Sequence, residues 1–170
     1  MSILIPIAIV LATVAGMEVM ANLSHRYIMH GWGWGWHRSH HVEHDDTFER
    51  NDLYAAVFAI PAILLIYLGT EYQHAVLWVG VGMTVYGFLY FVAHDGLVHE
   101  RWPFRIVPKN PYLKQLVQAH RLHHAVRTRE GCVSFGFLYA RPVSELKDEL
   151  RARHGNGLRD ASREAGPTLQ

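Results

Sequence analysis

Three long stretches of the chain consist almost entirely of apolar residues. They run from Ser2 to Leu23, where Glu18 is the one charged residue, from Leu53 to Thr70 and from Ala75 to Ala93. A helix needs about 20 mainly apolar residues to cross the hydrocarbon layer of a bilayer, because its backbone amides must be paired within the segment. The pattern therefore predicts an all-α integral membrane bundle with about three transmembrane helices.

Details within these stretches refine the prediction. No Lys or Arg precedes Met17, so the first stretch lacks the charged region of a cleaved signal peptide and we expect a retained span. Pro61 should kink the second helix. Gly80, Gly82 and Gly87 should let the third helix pack closely against a neighbour.

Basic residues are distributed unevenly around the stretches. Arg26, Arg38 and Arg50 lie between the first two, and the other thirteen Lys and Arg residues follow the third. The positive-inside rule then places both segments in the cytoplasm and the N-terminus outside, in a multi-pass protein of the plasma membrane. Such a basic surface would bind anionic lipid headgroups or an acidic protein partner.

Composition narrows the function classes. The single cysteine, Cys132, excludes an internal disulfide, a four-cysteine zinc site and a self-supplied iron–sulfur cluster. No platform of basic and aromatic residues indicates a nucleic-acid partner. From Arg151 onward the chain is polar with little apolar periodicity, so we expect a membrane domain at residues 1–150 and a disordered tail at residues 151–170.

Ten of the thirteen histidines fall into four groups that follow the first and third stretches. The spacings are H-x4-H and then H-x2-H-H, and this order occurs twice. The ten are His25, His30, His37, His40, His41, His94, His99, His120, His123 and His124.

Residues at i, i+3 and i+4 share one side of a helix, so each H-x2-H-H group should converge on one site. Residues at i and i+5 are about 140° apart on an undistorted α-helix, so each H-x4-H pair should point at two different ions.

The number of histidines predicts a dinuclear metal centre. Ten imidazoles can give five ligands to each of two six-coordinate ions, which leaves a position for water or dioxygen. Zinc usually closes with four ligands, so iron is favoured and zinc is a substitute. No catalytic residue beyond the ligands is predicted. His74 and His154 are expected to be structural or solvated.

Polar residues near the histidines are candidates to orient them. The carboxylates that could accept a ring N–H are Glu43, Asp45, Asp46, Asp95 and Glu100, of which Asp95 is favoured beside His94. His44 follows His41 by three residues and either supports the histidine run that ends at His41 or faces solvent. Glu18 and Asn22 lie on one helical stripe with His25, which makes Glu18 either a support for the metal site or a carboxyl held against a neighbouring helix.

Aromatic residues flank the histidines. Trp32, Trp34 and Trp36 favour anchoring at the headgroup region over lining a ring pocket. Phe135, Phe137 and Tyr139 alternate, and packing or shallow membrane insertion is favoured for them over substrate contact.

Three runs carry a resemblance to a known family. They are Met17 to His41 with its core HRYIMHGWGWGWHRSHH, HDGLVHERWPF at 94–104 and HRLHHAVRTREGCVSFGFLYA at 120–140. Together they resemble bacterial beta-carotene 3-hydroxylases of the fatty acid hydroxylase superfamily of membrane di-iron enzymes. The resemblance spans residues 15–145 and implies that the ten histidines bind the metals, at the cytoplasmic side of the bacterial inner membrane.

The same resemblance implies a reaction. Dioxygen-dependent hydroxylation at C3 and C3′ of carotenoid beta-ionone rings would convert beta-carotene through beta-cryptoxanthin to zeaxanthin, and canthaxanthin to astaxanthin. The chain has no G-x-G-x-x-G turn for a nicotinamide or flavin cofactor, so an external electron carrier such as ferredoxin with its reductase is expected.

Other functions remain open from the sequence. A fatty-acyl or sterol hydroxylase or desaturase of the same superfamily would need the same histidines. A membrane metal transporter is disfavoured, because its ligands should lie near the bilayer midplane and not at helix ends on one side. A haem protein would leave eight histidines without a role.

Overall fold

A computed structural model describes residues 3–42 and 48–155 of the chain. Every regular element in these two ranges is helical, as predicted. The elements are α1 (Leu4–Leu23), the π-helix π1 (Ser24–Trp32), α2 (Trp34–His41), a 3₁₀ turn (Arg50–Asp52), α3 (Leu53–Glu71), α4 (Val76–Tyr90), the π-helix π2 (Phe91–Val98), α5 (Pro111–His124) and α6 (Val143–His154).

Among residues 3–42 and 48–155, three helical runs are long and apolar enough to cross a membrane. They comprise residues Leu4–Trp32, Arg50–Glu71 and Val76–Val98. Large apolar side chains such as Leu11, Ile63 and Phe88 point away from the protein, which is the arrangement that a lipid solvent permits. The prediction of three spans is confirmed.

Small residues bring the spanning helices together. A Cβ added at Gly80 would lie 2.8 Å from the Ala62 carbonyl oxygen, so α4 and α3 approach to backbone contact there. A Cβ at Gly82 would lie 2.6 Å from Thr13 of α1. A Cβ at Gly87, by contrast, would meet none of the described residues within 4 Å, so the prediction that Gly87 also serves close packing was wrong.

Both helices that lead into the histidine region change from α to π geometry. The His99 amide donates to the His94 carbonyl at 2.9 Å, which is the i to i+5 pairing of a π-helix. The Gly33 amide likewise donates to the Ile28 carbonyl at 2.8 Å. Gly31 has a non-helical backbone, and the chain turns there into α2.

The second half of the chain packs beside the spans. Asn110 caps α5, where its Oδ1 accepts from the Tyr112 amide at 2.8 Å, and Pro111 stands at the first helical position. α5 and α6 share a core with the intervening loop. Its buried residues are Leu116, Ala119, Val126, Cys132, Val133, Ala140, Leu146 and Leu150.

The helix α6 extends past the predicted start of the tail. Residues 151–154 complete its last turn, where Arg153 donates to the Cys132 carbonyl at 2.7 Å. The His154 ring hydrogen-bonds the Gly131 carbonyl at 3.0 Å, a structural role. The helix thus continues four residues past residue 150, and both contacts are to a loop that the local sequence does not reveal. Residues 156–170 lie outside the described residues.

Candidate metal centre

The fold brings the predicted ligands together in two clusters. In the first histidine group, the ring nitrogens of His25, His30, His37, His41 and His123 lie within 4.8 Å of one another. In the second histidine group the same holds for His40, His94, His99 and His120, and the Nε2 of His124 lies 3.0 Å from that of His120. Eight of the ten are buried and the other two, His99 and His124, are half-buried.

Each H-x2-H-H run is divided between the two groups, so the prediction that it converges on one site was wrong. In α2, His37 and His41 belong to the first group and His40 to the second. Residues i and i+4 are about 40° apart around a helix, whereas i+3 and i+4 are about 100° apart. The i, i+4 pair therefore shares one site and the middle histidine reaches the other. In α5 the i, i+4 pair His120 and His124 belongs to the second group, and the middle histidine, His123, belongs to the first.

Each H-x4-H pair belongs to one group, which overturns the prediction that its rings point at two ions. His25 and His30 both belong to the first group, and His94 and His99 to the second. π1 and π2 are the cause, because their i to i+5 pairing brings residue i+5 above residue i.

Outward hydrogen bonds orient seven of the imidazoles. The Nδ1 of each lies 2.7 to 3.0 Å from an oxygen that can only accept. These oxygens are the carbonyls of Phe135 for His25, Arg129 for His30, Val126 for His41 and Val133 for His123, and the side chains of Asn51 for His37, Glu49 for His40 and Asp95 for His94. In a neutral ring the proton is then on Nδ1, and the Nε2 lone pair points inward.

The inward nitrogens form a donor set that fits metal cations. The Nε2 atoms of His25 and His37 are 3.0 Å apart, and those of His40 and His94 are 2.9 Å apart. With Nδ1 protonated, neither atom of such a pair carries a proton, so their lone pairs repel unless a cation lies among them. Ten neutral imidazoles suit divalent transition metals.

Burial keeps these rings neutral. It lowers the pKa of His37 to about 3 and the pKa of His41 and of His99 to about 4. It also lowers the pKa of His124 to about 2. The histidines are therefore unprotonated at neutral pH, which is the form that binds a metal.

The two groups differ in the charge around them. In the second group, His40 donates to the Glu49 carboxylate and His94 to the Asp95 carboxylate. Arg101 lies 3.9 Å from each carboxylate. The acceptors of the first group are uncharged, so the second group has more negative charge behind its imidazoles.

The orienting residues were predicted only in part. Asp95 is where the sequence suggested, 2.7 Å from the His94 ring. Glu49 and Asn51 were missed, and their position in a polar stretch soon after the second histidine run was the available signal. Glu100 pairs with Arg121 at 3.2 Å and also with Arg105. The remaining candidates Glu43, His44, Asp45 and Asp46 lie outside the described residues.

Within the part of the chain that the structure describes, the carboxylate of Glu18 bonds to a loop and to Tyr86 and not to an imidazole. Glu18 accepts from the Tyr86 hydroxyl at 2.8 Å and from three backbone amides of residues 137–139. Asn22 is near the same loop, since a Cβ at Gly136 would lie 3.3 Å from its amide nitrogen. Glu18 and Asn22 thus lie against a loop whose aromatic side chains contact the histidines. The shared helical stripe of Glu18, Asn22 and His25 did not predict this indirect connection.

Aromatic side chains enclose the clusters unevenly. Trp34 packs against His30 and His41, whereas Trp32 and Trp36 are exposed. Phe135 contacts His25 edge-on, with ring centroids 5.4 Å apart.

Two cavities lined by described residues adjoin the second histidine group. A cleft of about 490 Å³ is lined by His40, His99 and His124 together with Arg121 and Arg127. An apolar cavity of about 10 Å³ has histidines on one wall. Its lining consists of Ala93, His94, Leu97, Val98, Leu116, Val117, His120, Gly136 and Phe137. The second histidine group thus borders a cleft with charged side chains and a small cavity with a largely apolar lining.

The chain matches a known family over most of its length. The fatty acid hydroxylase family model matches residues 10–141, which include all ten histidines. No solved structure matches the chain significantly.

Curated relatives agree with the family match. A beta-carotene hydroxylase of Pantoea ananas is 65% identical over 147 residues, which are 86% of this chain and 84% of the relative. One from Pseudescherichia vulneris is 59% identical over 92% of this chain and 89% of the relative. The chloroplastic beta-carotene 3-hydroxylase 2 of Arabidopsis thaliana is 37% identical over 84% of this chain and 49% of the relative. The helical bundle with its two imidazole clusters agrees with the family match and with these relatives. The chain therefore belongs to the fatty acid hydroxylase family and groups there with the beta-carotene hydroxylases.

Proposed function

We propose that this protein is a di-iron enzyme that uses dioxygen to hydroxylate carotenoid beta-ionone rings at C3 and C3′. It would convert beta-carotene through beta-cryptoxanthin to zeaxanthin, and canthaxanthin to astaxanthin. The observation that carries the proposal is the pair of buried imidazole groups with inward Nε2 atoms. The names of the relatives supply the substrate class.

The two histidine groups would each hold one iron. Five imidazoles for each ion exceed the four ligands with which zinc usually closes, so iron is the better fit and zinc a substitute after purification. When bound, the iron pair supplies the activation of dioxygen that a hydrocarbon C–H bond requires. The protein's own residues hold the ligands in one tautomer and keep water from the apolar side.

The two sides of the centre suggest how reactants arrive. A carotenoid dissolved in the bilayer would approach from the apolar side, near Leu97 and Phe137. Electrons would arrive from an external carrier such as ferredoxin with its reductase. Arg121 and Arg127 at the charged cleft would attract an acidic carrier.

We further propose where the metal centre lies relative to the membrane and how the chain divides into a domain and a tail. The distribution of basic residues supports a centre on the cytoplasmic side of the bacterial inner membrane, in a protein that would contact membrane lipid. Residues 1–150 with the last turns of α6 form the hydroxylase domain, and the rest of the chain is a polar tail.

Expression in beta-carotene-producing bacteria tests the proposal. The intact protein should convert beta-carotene to zeaxanthin under oxygen, as measured by chromatography of the pigments. His120→Ala removes a ligand of the second group and should lower hydroxylation by at least about a hundredfold, because the ion loses a ligand. The matched control is His74→Ala, which changes an exposed histidine in the turn between α3 and α4.

Two results would contradict the proposal. Unchanged beta-carotene beside well-expressed intact protein would reject the substrate, and hydroxylated or desaturated fatty acyl chains or sterols would then identify the alternative substrate class. Equal activity of His120→Ala and His74→Ala would reject the ligand assignment.

A further inference from the structure

The carboxylate of Glu18 binds a short loop between α5 and α6. Its Oε1 accepts from the backbone amides of Phe137, Leu138 and Tyr139 at 2.9, 3.0 and 3.0 Å. Its Oε2 accepts from the Tyr86 hydroxyl at 2.8 Å. Three convergent amides form a concave anion site that holds a carboxylate well.

The position of Glu18 places this loop at membrane depth. Glu18 precedes His25 by seven residues on a largely helical run, which corresponds to about 10 Å along the axis toward the middle of the bilayer. Phe137 belongs to a buried cluster with Met17 and Ala21 of α1 and Tyr86 of α4. The loop thus packs against two helices that are long and apolar enough to cross a membrane.

A loop at that depth needs a partner for its amides. Water is absent from the hydrocarbon layer, so irregular backbone survives there only where protein groups satisfy its N–H groups. The Glu18 carboxylate does this for three successive residues. Gly136 permits the approach, since a Cβ there would lie 2.7 Å from Glu18 Oε1 and 2.6 Å from the Tyr139 carbonyl oxygen.

The loop presents one aromatic ring to both histidine groups. The ring of Phe137 is stacked on that of His25 of the first group, with centroids 5.1 Å apart. It lies 5.4 Å from His94 and 5.8 Å from His120, both of the second group. Phe137 also lines the apolar cavity beside His94. An apolar molecule that comes from the bilayer to both groups therefore meets this ring.

We propose that residues 135–139 form a re-entrant loop, anchored in the bilayer by Glu18, and that its Phe137 ring contacts and orients the apolar ring of the substrate. The substrate part rests on the proposed function. Glu18 is a positioning residue that acts through the loop, and Phe137 determines which carbon faces the metals.

Depth measurement tests the loop independently of catalysis. A spin label on Tyr139→Cys, an exposed position, is compared in lipid vesicles with one on Arg127→Cys at the charged cleft. Native Cys132 is buried, and burial raises the pKa of its thiol to about 12, so it does not take the label. We expect the label at 139 to collide mainly with dioxygen, and the label at 127 mainly with a water-soluble nickel chelate.

Variants of Glu18 test the anchor in the same experiment. Glu18→Ala leaves three amides unpaired and should move the label at 139 toward water, with a severalfold rise in nickel collisions. Glu18→Gln keeps an acceptor oxygen and should restore part of the wild-type depth. Equal nickel access at 139 and 127 would overturn the re-entrant loop, and a label depth unaffected by Glu18→Ala would overturn the anchor.

Kinetics in beta-carotene vesicles test the contact with substrate. Phe137→Leu and Phe137→Ala should raise KM or reduce the share of C3 product by about tenfold, in line with the effect of reshaping an apolar pocket. Metal content should stay at the wild-type level. Tyr139→Leu is the control, since its side chain is exposed on the same loop.

The outcomes separate the two proposals. Unchanged KM and C3 selectivity in a fully metallated Phe137→Ala would overturn the substrate contact. If the wild-type protein leaves carotenoids unchanged while the label at 139 lies in the bilayer, the proposed function fails and the re-entrant loop stands.

Discussion

At the scale of single residues, the centre depends on which atom of each imidazole carries the proton. Carbonyl, amide and carboxylate oxygens around the rings fix that proton on Nδ1 and turn Nε2 inward. In the second histidine group, the acceptors Glu49 and Asp95 also carry negative charge beside the rings of His40 and His94. The two groups should therefore differ in their affinity for a metal, with the second group favoured.

Removing one of these charges tests the difference. Asp95→Asn keeps an acceptor for the His94 ring and removes the negative charge. We expect about tenfold weaker retention of one of two metal ions, measured as bound metal after competition with a chelator. Glu100→Gln is the matched control, because that carboxylate pairs with Arg105 and Arg121 on the surface. Equal loss from both variants would contradict the assigned role of Asp95.

At the scale of elements, two π-helices and two close helix pairs determine where the histidines lie. π1 and π2 turn each H-x4-H pair toward one group. Their positions depend on the register of α1, α3 and α4, which glycines set by allowing backbone contact.

A larger side chain should disturb helix packing at Gly80 and not at Gly87. Gly80→Val places atoms against the Ala62 carbonyl and Ile66, and we expect a loss of about 1–3 kcal/mol in stability. Gly87→Val meets open space and should leave stability unchanged. Thermal unfolding in detergent measures both, and equal effects would show that α3 and α4 do not pack through Gly80.

At the scale of the whole molecule, the histidine groups link two halves of the chain. His41 of α2 and His123 of α5 share the first group, and His40 and His94 share the second. Loops, spans and peripheral helices are thus joined through buried imidazoles, which remain neutral because burial lowers their pKa. Stability of the whole fold should therefore depend on pH.

Acid should destabilise the metal-free protein. The folded pKa is lowered to about 3 for His37 and about 4 for His41 and His99, whereas the usual value is about 6.5. The unfolded chain then binds more protons between these values, so stability is fully present above about pH 6.5 and falls as the pH drops toward 4. The melting temperature in detergent should decrease from pH 8 to pH 5. A constant melting temperature over that range would contradict neutral buried histidines.

Much of this architecture followed from composition and spacing. Transfer of apolar residues from water to lipid depends on their kind and number along the chain, so three spans were predictable from the sequence. The ten histidines were recognisable because two spacings occur twice in the same order.

Other features depended on contacts between distant segments. The π geometry that aligns His94 with His99 and the division of each H-x2-H-H run depend on how α2 and α5 face the spans. The hydrogen bonds of Glu18 to residues 137–139 and the roles of Glu49 and Asn51 join parts of the chain whose pairing no local pattern encodes. The sequence by itself determined the inventory of apolar spans and histidines, because burial in lipid and the chemistry of imidazole are properties of the residues. Tertiary structure alone decided which histidine joins which group, because that depends on directions in space that helices acquire only when they pack.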